Sequence, residues 1–311
     1  MAEKYIHDLI RRWGGNPILT AEDMPFPCTA LHNAGAVLFE GQHLLMLRVE
    51  DMTGKSFFIL ARSENGFQFV VDDQPAMLPS KTEPFASNEA LGIQDARITK
   101  IEDLYYITYT AHATHGSRLA VASTKDFRTF ERISLVTEPE NRSGALLPRK
   151  INGRFALLQR PLVGNAGHLW ISYSEDLKYW GDASVVMTTR GGFWDCNRIG
   201  VACPPIETDR GWLLIYYGEK FNASGHIYRL GAALLDLEDP SKVIGRSDIP
   251  ILAPREYYER VGDVDNMVFA TGAVLNRQLG NLMIYYGAAT NSICLGWAKM
   301  DLLIKRCLNH E

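Results

Sequence analysis

The chain has 311 residues, 46% of them hydrophobic and 22% charged, with a formal net charge of −4. That balance supplies apolar surface for a large core but no global basic field, which argues against a nucleic-acid or acidic-membrane partner. The five cysteines (Cys28, Cys196, Cys203, Cys294 and Cys307) are odd in number and lack C-x-x-C spacing, so they read as small buried hydrophobes rather than a disulfide framework or zinc site.

At the start, MAEKYIHDLIRRW has no apolar leader region or small-residue cleavage site, and no later apolar run approaches the roughly 20 residues of a membrane span. A cytoplasmic protein is expected. Ile6, Leu9, Ile10 and Trp13 fall at i, i+3, i+4 and i+7, which predicts a short N-terminal helix packed on the body or at a subunit interface.

From there the chain repeats itself. A strand, a turn and a second strand appear as NAGAVLFEGQHLLMLRVE from Asn33, QDARITKIEDLYYITYTA from Gln94 and GALLPRKINGRFALLQRP from Gly144. They recur as CPPIETDRGWLLIYYGEK from Cys203 and TGAVLNRQLGNLMIYYGAA from Thr271. Each is followed by a third strand: SFFILARS, SRLAVAST, GHLWISYS, YRLGAALLD and SICLGWAK. Three of these run into a shared turn and fourth strand: SENGFQF, STKDFRTF and SEDLKYW. Five such repeats spanning nearly the whole chain predict an all-β fold, a five-bladed β-propeller forming one catalytic domain over 1–311.

In an antiparallel pair, the start of the first strand and the end of the second share one edge. Asn33, Asp95, Arg142, Arg198 and Phe269 open the first strands, while Arg48, Thr110, Arg160, Tyr217 and Thr290 close the second. Radial closure brings them to one mouth of the central channel. A glycosidase normally uses two carboxyl groups. This mouth offers Asp95 alone, beside Arg48, Arg97, Arg142, Arg160 and Arg198. Guanidinium groups without matching acids call for an anion, and phosphate pairs with arginine bidentately. Phosphate as nucleophile would remove the need for a second carboxylate, so the composition of the mouth points to phosphorolysis. Asp95 with Arg97 is equally readable as a structural ion pair, and Tyr228 and Phe269 as core aromatics or as a wall on which sugar stacks. His112 and His115, in HATH, read as loop histidines, and no metal set stands out.

The segments NPIL, HNAGAV with LLMLRVE, GIQDARIT, YYITYTA, STKDFRTF, LLQRP, GWLLIYYG, LGAALLDLEDP and VFATGAV together resemble glycoside hydrolase family 130, from about Asn16 to about Lys299. The resemblance implies an inverting β-mannoside phosphorylase on a five-bladed propeller, with inorganic phosphate as co-substrate and no cofactor. It implies that Asp95 is the acid, protonating the leaving oxygen through the mannosyl 3-hydroxyl while phosphate attacks the anomeric carbon, giving α-mannose 1-phosphate. Arg142, Arg160 and Arg198 match the phosphate-binding positions, with Tyr217 where a histidine usually stands. Asn33, Arg48, Tyr228 and Phe269 match the sugar site, with Arg97 counted beside them. Thr290 replaces an aspartate that normally meets the sugar, so Asn291 or Asp265 is expected to take over that contact. A hydrolase of the same family and a non-catalytic sugar-binding propeller are the alternatives. The expected partners are a β-mannoside oligosaccharide or disaccharide and phosphate, with a homo-oligomer left open.

Overall fold

The strand pairs anticipated from the repeats are all present. The structure, a computed structural model, describes residues 8–309 apart from Ser224. It is all-β and propeller-like, with few helices. Antiparallel runs follow one another along the chain. The first comprises Ala30–Phe39, Gln42–Glu50, Ser56–Ser63 and Val70–Met77, and the second Gly92–Ile101, Leu104–Ala113, Gly116–Thr124 and Glu131–Leu135. The third is built on Asn141–Leu146, Phe155–Val163, Leu169–Ser174 and Gly181–Met187. Arg198–Val201, Gly211–Asn222, Gly225–Leu235 and Val243–Arg246 form the next. Val268–Asn276, Asn281–Ala288 and Ser292–Lys299 end the series.

The middle strands carry continuous apolar runs such as LLML at 44–47, buried throughout, because both faces of each sheet are covered. Neighbouring runs share a core: Leu44 and Phe58 pack with Ile107 and Tyr109, and Leu158 and Ile171 with Trp212 and Leu214. The series closes on itself, since Leu31, Leu47 and Ile59 pack with Val274, Tyr285 and Leu295. The inner strands crowd around the axis. A Cβ on Gly35 would stand 2.8 Å from the Ala96 carbonyl oxygen, so this close approach requires glycine.

The repeated turns have one chemistry. The Ser63, Thr124 and Ser174 hydroxyls accept the backbone N–H three residues on, and Asn65, Asp126 and Asp176 each accept two further N–H groups. The predicted segments SENGFQF, STKDFRTF and SEDLKYW are thus mostly turn, and the fourth strands begin beyond them.

The N-terminal helix is not formed by the described residues, and Ile6 lies outside them. Leu9 and Ile10 lie in a bend, Arg11–Arg12 form a strand on Ser292–Lys299, and Trp13 N–H donates to Leu295 O at 2.9 Å. Leu19–Thr20 pair with the same strand. An open sheet edge presents unpaired backbone groups, and pairing with it outweighs a short helix that is marginal alone. The Asn16 side chain reinforces the join, donating to Leu295 O and accepting from Leu295 N. The longest helix among the described residues is instead Met300–Cys307, with Leu303 and Cys307 buried one turn apart and Lys305 and Arg306 in its last turn. No helix among the described residues is long and apolar enough to cross a membrane.

Candidate active site

Four inner strands depart from regular pairing at the same end. The register shifts between Leu31 and Ala34, Gln94 and Arg97, Arg142 and Ala145, and Ala270 and Gly272. A bulge bends the strand and re-aims a side chain that alternation would send elsewhere. Asp95 and Ser143 sit within two of these shifts at φ of 59° and 61°, a region that non-glycine residues adopt at a cost.

The bulged ends surround a cavity of about 370 Å3, within the range of small-molecule sites. Asn33, Arg48, Asp95, Arg142, Arg160, Arg198, Tyr217, Tyr228, Phe269 and Thr290 all line it. Arg97 does not. It is fully buried, with Nε on Ala202 O, Nη2 on Val201 O and Nη1 on Asp95 O, so every part of its fork holds backbone behind the wall. It braces the Asp95 backbone instead of contacting a ligand. Thr110 is also buried and absent from the lining.

The Asp95 carboxylate is 14% exposed, with Oδ1 accepting from Asn33 Nδ2 at 2.8 Å and Arg48 Nη1 at 2.9 Å. Burial alone would raise its pKa. The charges of Arg48 and Arg97 and these hydrogen bonds outweigh burial and hold it down at about 2. His32 beside it is pushed down to about 3 by burial and by Arg48, so it adds no charge at neutral pH.

Opposite lies a basic group. Arg160 is 6% exposed, its Nε donates to Tyr217 Oη at 3.1 Å, and its Nη1 is buried with no hydrogen-bond partner. Neither Arg142 nor Arg160 has a carboxylate within ion-pair distance among the described residues, and Arg160 helps to lower the pKa of Arg97 after burial has done most of it. Tyr217 Oη also meets Ser143 Oγ at 3.2 Å, and its ring packs against Phe269 at 4.9 Å.

Alternation along Gly211–Asn222 places a residue the sequence reading passed over. Glu219, two positions after Tyr217, shares its face, lines the cavity and is 2% exposed. It pairs with Arg198 Nη1 at 3.5 Å and with His226 Nδ1. Glu140, two positions before Arg142, also lines the cavity. The mouth therefore holds three carboxylates, not one, although Glu219 already has two cationic or hydrogen-bonding neighbours.

Thr290 sits at φ 57° and spends its hydroxyl on Ala289 O. Neither expected substitute reaches the cavity: Asn291 lines a separate groove beside Tyr257, and Asp265 accepts from Gly262 N. His112 lies in a strand rather than a loop and bonds Ser117, whereas His115 lies in the following turn and faces Asn88.

A family model for glycoside hydrolase family 130, described as beta-1,4-mannooligosaccharide phosphorylase, matches residues 10–308. The chain is 38% identical to a beta-1,2-mannobiose phosphorylase of Listeria innocua serovar 6a, over 83% of this chain and 69% of the relative. It is 34% identical to a 1,2-beta-oligomannan phosphorylase of Thermoanaerobacter sp., over 91% and 95% respectively. The solved structure of beta-1,2-mannobiose phosphorylase from Listeria innocua in complex with beta-1,2-mannobiose superposes with a TM-score of 0.87. That match covers 96% of this chain and 99% of the other at 30% identity.

Proposed function

The chain belongs to glycoside hydrolase family 130, and from that premise we propose that it is an inverting β-mannoside phosphorylase with Asp95 as its acid. The observation that carries the reading is the pair Arg142 and Arg160, free of carboxylate partners, in one cavity with Asp95. Arg160 is buried and Arg142 half-buried, and guanidinium charge withdrawn from water in this way is costly unless an anion joins it. Arg142, Arg160 and Arg198, with Tyr217 orienting Arg160, hold phosphate. Asn33, Arg48, Tyr228, Phe269 and Thr290 surround the mannosyl unit.

The proton balance closes without a second catalytic carboxylate. A phosphate oxygen forms a bond to the anomeric carbon as the bond to the leaving oxygen breaks, and that oxygen takes a proton supplied by Asp95. Hydrogen phosphate retains its own proton on entering the product and returns it to Asp95, leaving the mannosyl phosphate dianion and a neutral alcohol. By themselves, Arg48 and Arg97 keep Asp95 ionised. A bound phosphate dianion opposes that field and favours the protonated acid. No cofactor enters the scheme.

We read the antiparallel runs as five blades, with Arg11–Arg12 supplying the outer strand of the last, and the whole of 1–311 as one catalytic domain. A cytoplasmic location belongs to the same proposal, since it gives access to inorganic phosphate. Glu219 favours hydrolysis as a second reading, because a buried carboxylate in the cavity could activate water. Its contacts with Arg198 and His226 weigh against that role. The test is incubation with β-1,2- and β-1,4-linked mannobiose, with and without phosphate. Phosphate-dependent release of mannose 1-phosphate is expected, and free mannose formed without phosphate would transfer the protein to the hydrolases.

A further inference from the structure

The long hairpin formed by Gly211–Asn222 and Gly225–Leu235 outruns the cavity it helps to line. Residues paired directly across an antiparallel ladder share a face. The pairs Tyr217↔Leu230, Glu219↔Tyr228 and Phe221↔His226 therefore form one continuous surface. Tyr217, Glu219 and Tyr228 line the cavity, whereas Phe221 and His226, the next pair outward, lie beyond its rim. At about 3.3 Å per residue, Phe221 stands roughly 13 Å along the strand from Tyr217.

The rings along this surface touch in sequence. Tyr217 and Tyr228 centroids are 6.3 Å apart, Tyr228 and His226 are 6.3 Å apart and stacked at 21°, and His226 and Phe221 are 4.8 Å apart. Phe221 is 58% exposed. A single exposed phenylalanine is ordinary on any surface. This one continues the aromatic wall of the cavity, and its place is fixed twice. Its backbone N–H donates to Asn197 Oδ1 at 2.8 Å, and Glu219 holds His226 by its Nδ1. The opposite face of the hairpin is equally supported. Cβ atoms on Gly218 or Gly231 would run into Trp194, whose indole stacks on Tyr216 and donates to Asp248 O.

We propose that Phe221 and His226 form a stacking platform for a sugar unit beyond the cleaved bond, so that the preferred substrates are β-mannosides longer than a disaccharide. The proposal rests on the phosphorylase reading above. The mannosyl unit being transferred occupies the cavity beside Asp95, and the remaining chain leaves through the mouth. The apolar C–H face of a pyranose packs on aromatic rings, and rings already held by neighbours lose little freedom on contact.

The experiment compares kcat/KM for phosphorolysis of mannotriose and mannobiose of the same linkage, in the wild type, Phe221→Ala and Phe221→Trp. The wild type should favour the trisaccharide. Phe221→Ala should lower the trisaccharide-to-disaccharide ratio about 3- to 10-fold, and Phe221→Trp should keep it. An equal ratio in wild type and Phe221→Ala, or no trisaccharide preference in the wild type, overturns the platform while phosphorolysis of mannobiose leaves the enzyme reading intact. Absence of mannose 1-phosphate from every substrate would instead remove the enzyme reading, and the platform with it.

Discussion

Replacing Arg160 by methionine separates a binding role from a structural one, because the two move stability in opposite directions. The side chain is 6% exposed, its Nη1 has no hydrogen-bond partner among the described residues, and its Nε donates to Tyr217 Oη. Methionine fills similar volume without charge, and Tyr217 keeps its contact with Ser143. Without phosphate, the variant should therefore equal or exceed the wild type in stability, as when buried charges are replaced by apolar groups. With phosphate the order reverses. Loss of one partner from a desolvated charge-assisted contact costs about 2–5 kcal/mol, or about 30- to 4,000-fold in affinity. The assays are the phosphate KM at saturating mannoside and thermal unfolding across a phosphate titration. Phosphate at 100 times the wild-type Kd should stabilise the wild type by about 2.7 kcal/mol, a rise of roughly 5 °C, and the variant by about 0.9 kcal/mol at a 30-fold loss of affinity and by almost nothing at a 4,000-fold loss. An unchanged phosphate KM, or a ligand-free variant about 3 kcal/mol less stable, would refute the reasoning.

Asp95→Asn should lower turnover of a substrate with a poor leaving group by about 10²- to 10⁴-fold, measured by mannose 1-phosphate release. The same variant should lose about 2 kcal/mol of stability at neutral pH, because the native carboxyl ionises near 2 and an ordinary one near 3.8. With the folded pKa depressed, that contribution is fully present above about pH 4 and is lost as pH falls through 2, so urea titrations of wild type and variant should converge there. If phosphate favours the protonated acid, the descending limb of kcat at saturating phosphate should lie at higher pH than that of kcat/KM for the mannoside at low phosphate. Coincident limbs would contradict the coupling. Gly231→Ala should cost about 1–3 kcal/mol in chemical unfolding, since its Cβ would stand 2.6 Å from Trp194 Cη2. A neutral result would mean that the hairpin is not braced as described.

Much of the site was readable because strand alternation and repeat position are local properties. Asn33, Arg48, Asp95, Arg160, Arg198 and Tyr217 occupy equivalent ends of repeated strands, and they meet. The same alternation, carried two residues past Tyr217, identifies Glu219, a signal present in YYGEK but not followed. Arg97 could not be placed this way. At the bulge between Gln94 and Arg97 the simple inside–outside count fails, and its partners Val201 and Ala202 lie at and just past the end of a distant strand. The N-terminal segment misled for a related reason. Its apolar spacing fits a helix, but a sheet edge formed far along the chain recruits it as strand.

That recruitment has a consequence for how the protein is made. Asn16 and the residue it clamps, Leu295, are 279 positions apart. At about 5–20 residues per second, the early segment waits roughly 15–55 s on the ribosome before its partner strand exists. Joining the ends also closes a loop of nearly the whole chain, the kind of contact that forms late and slows folding. Until then, the core around Leu31 lacks Ile293 and Leu295, and backbone groups of Arg11–Arg12 and Leu19–Thr20 that will pair are open to other nascent chains. A polypeptide stopped before Ser292 would keep its cavity arginines and Asp95 yet lack the strand on which Arg11–Arg12 and Leu19–Thr20 pair, leaving that early segment open to chaperones and proteases.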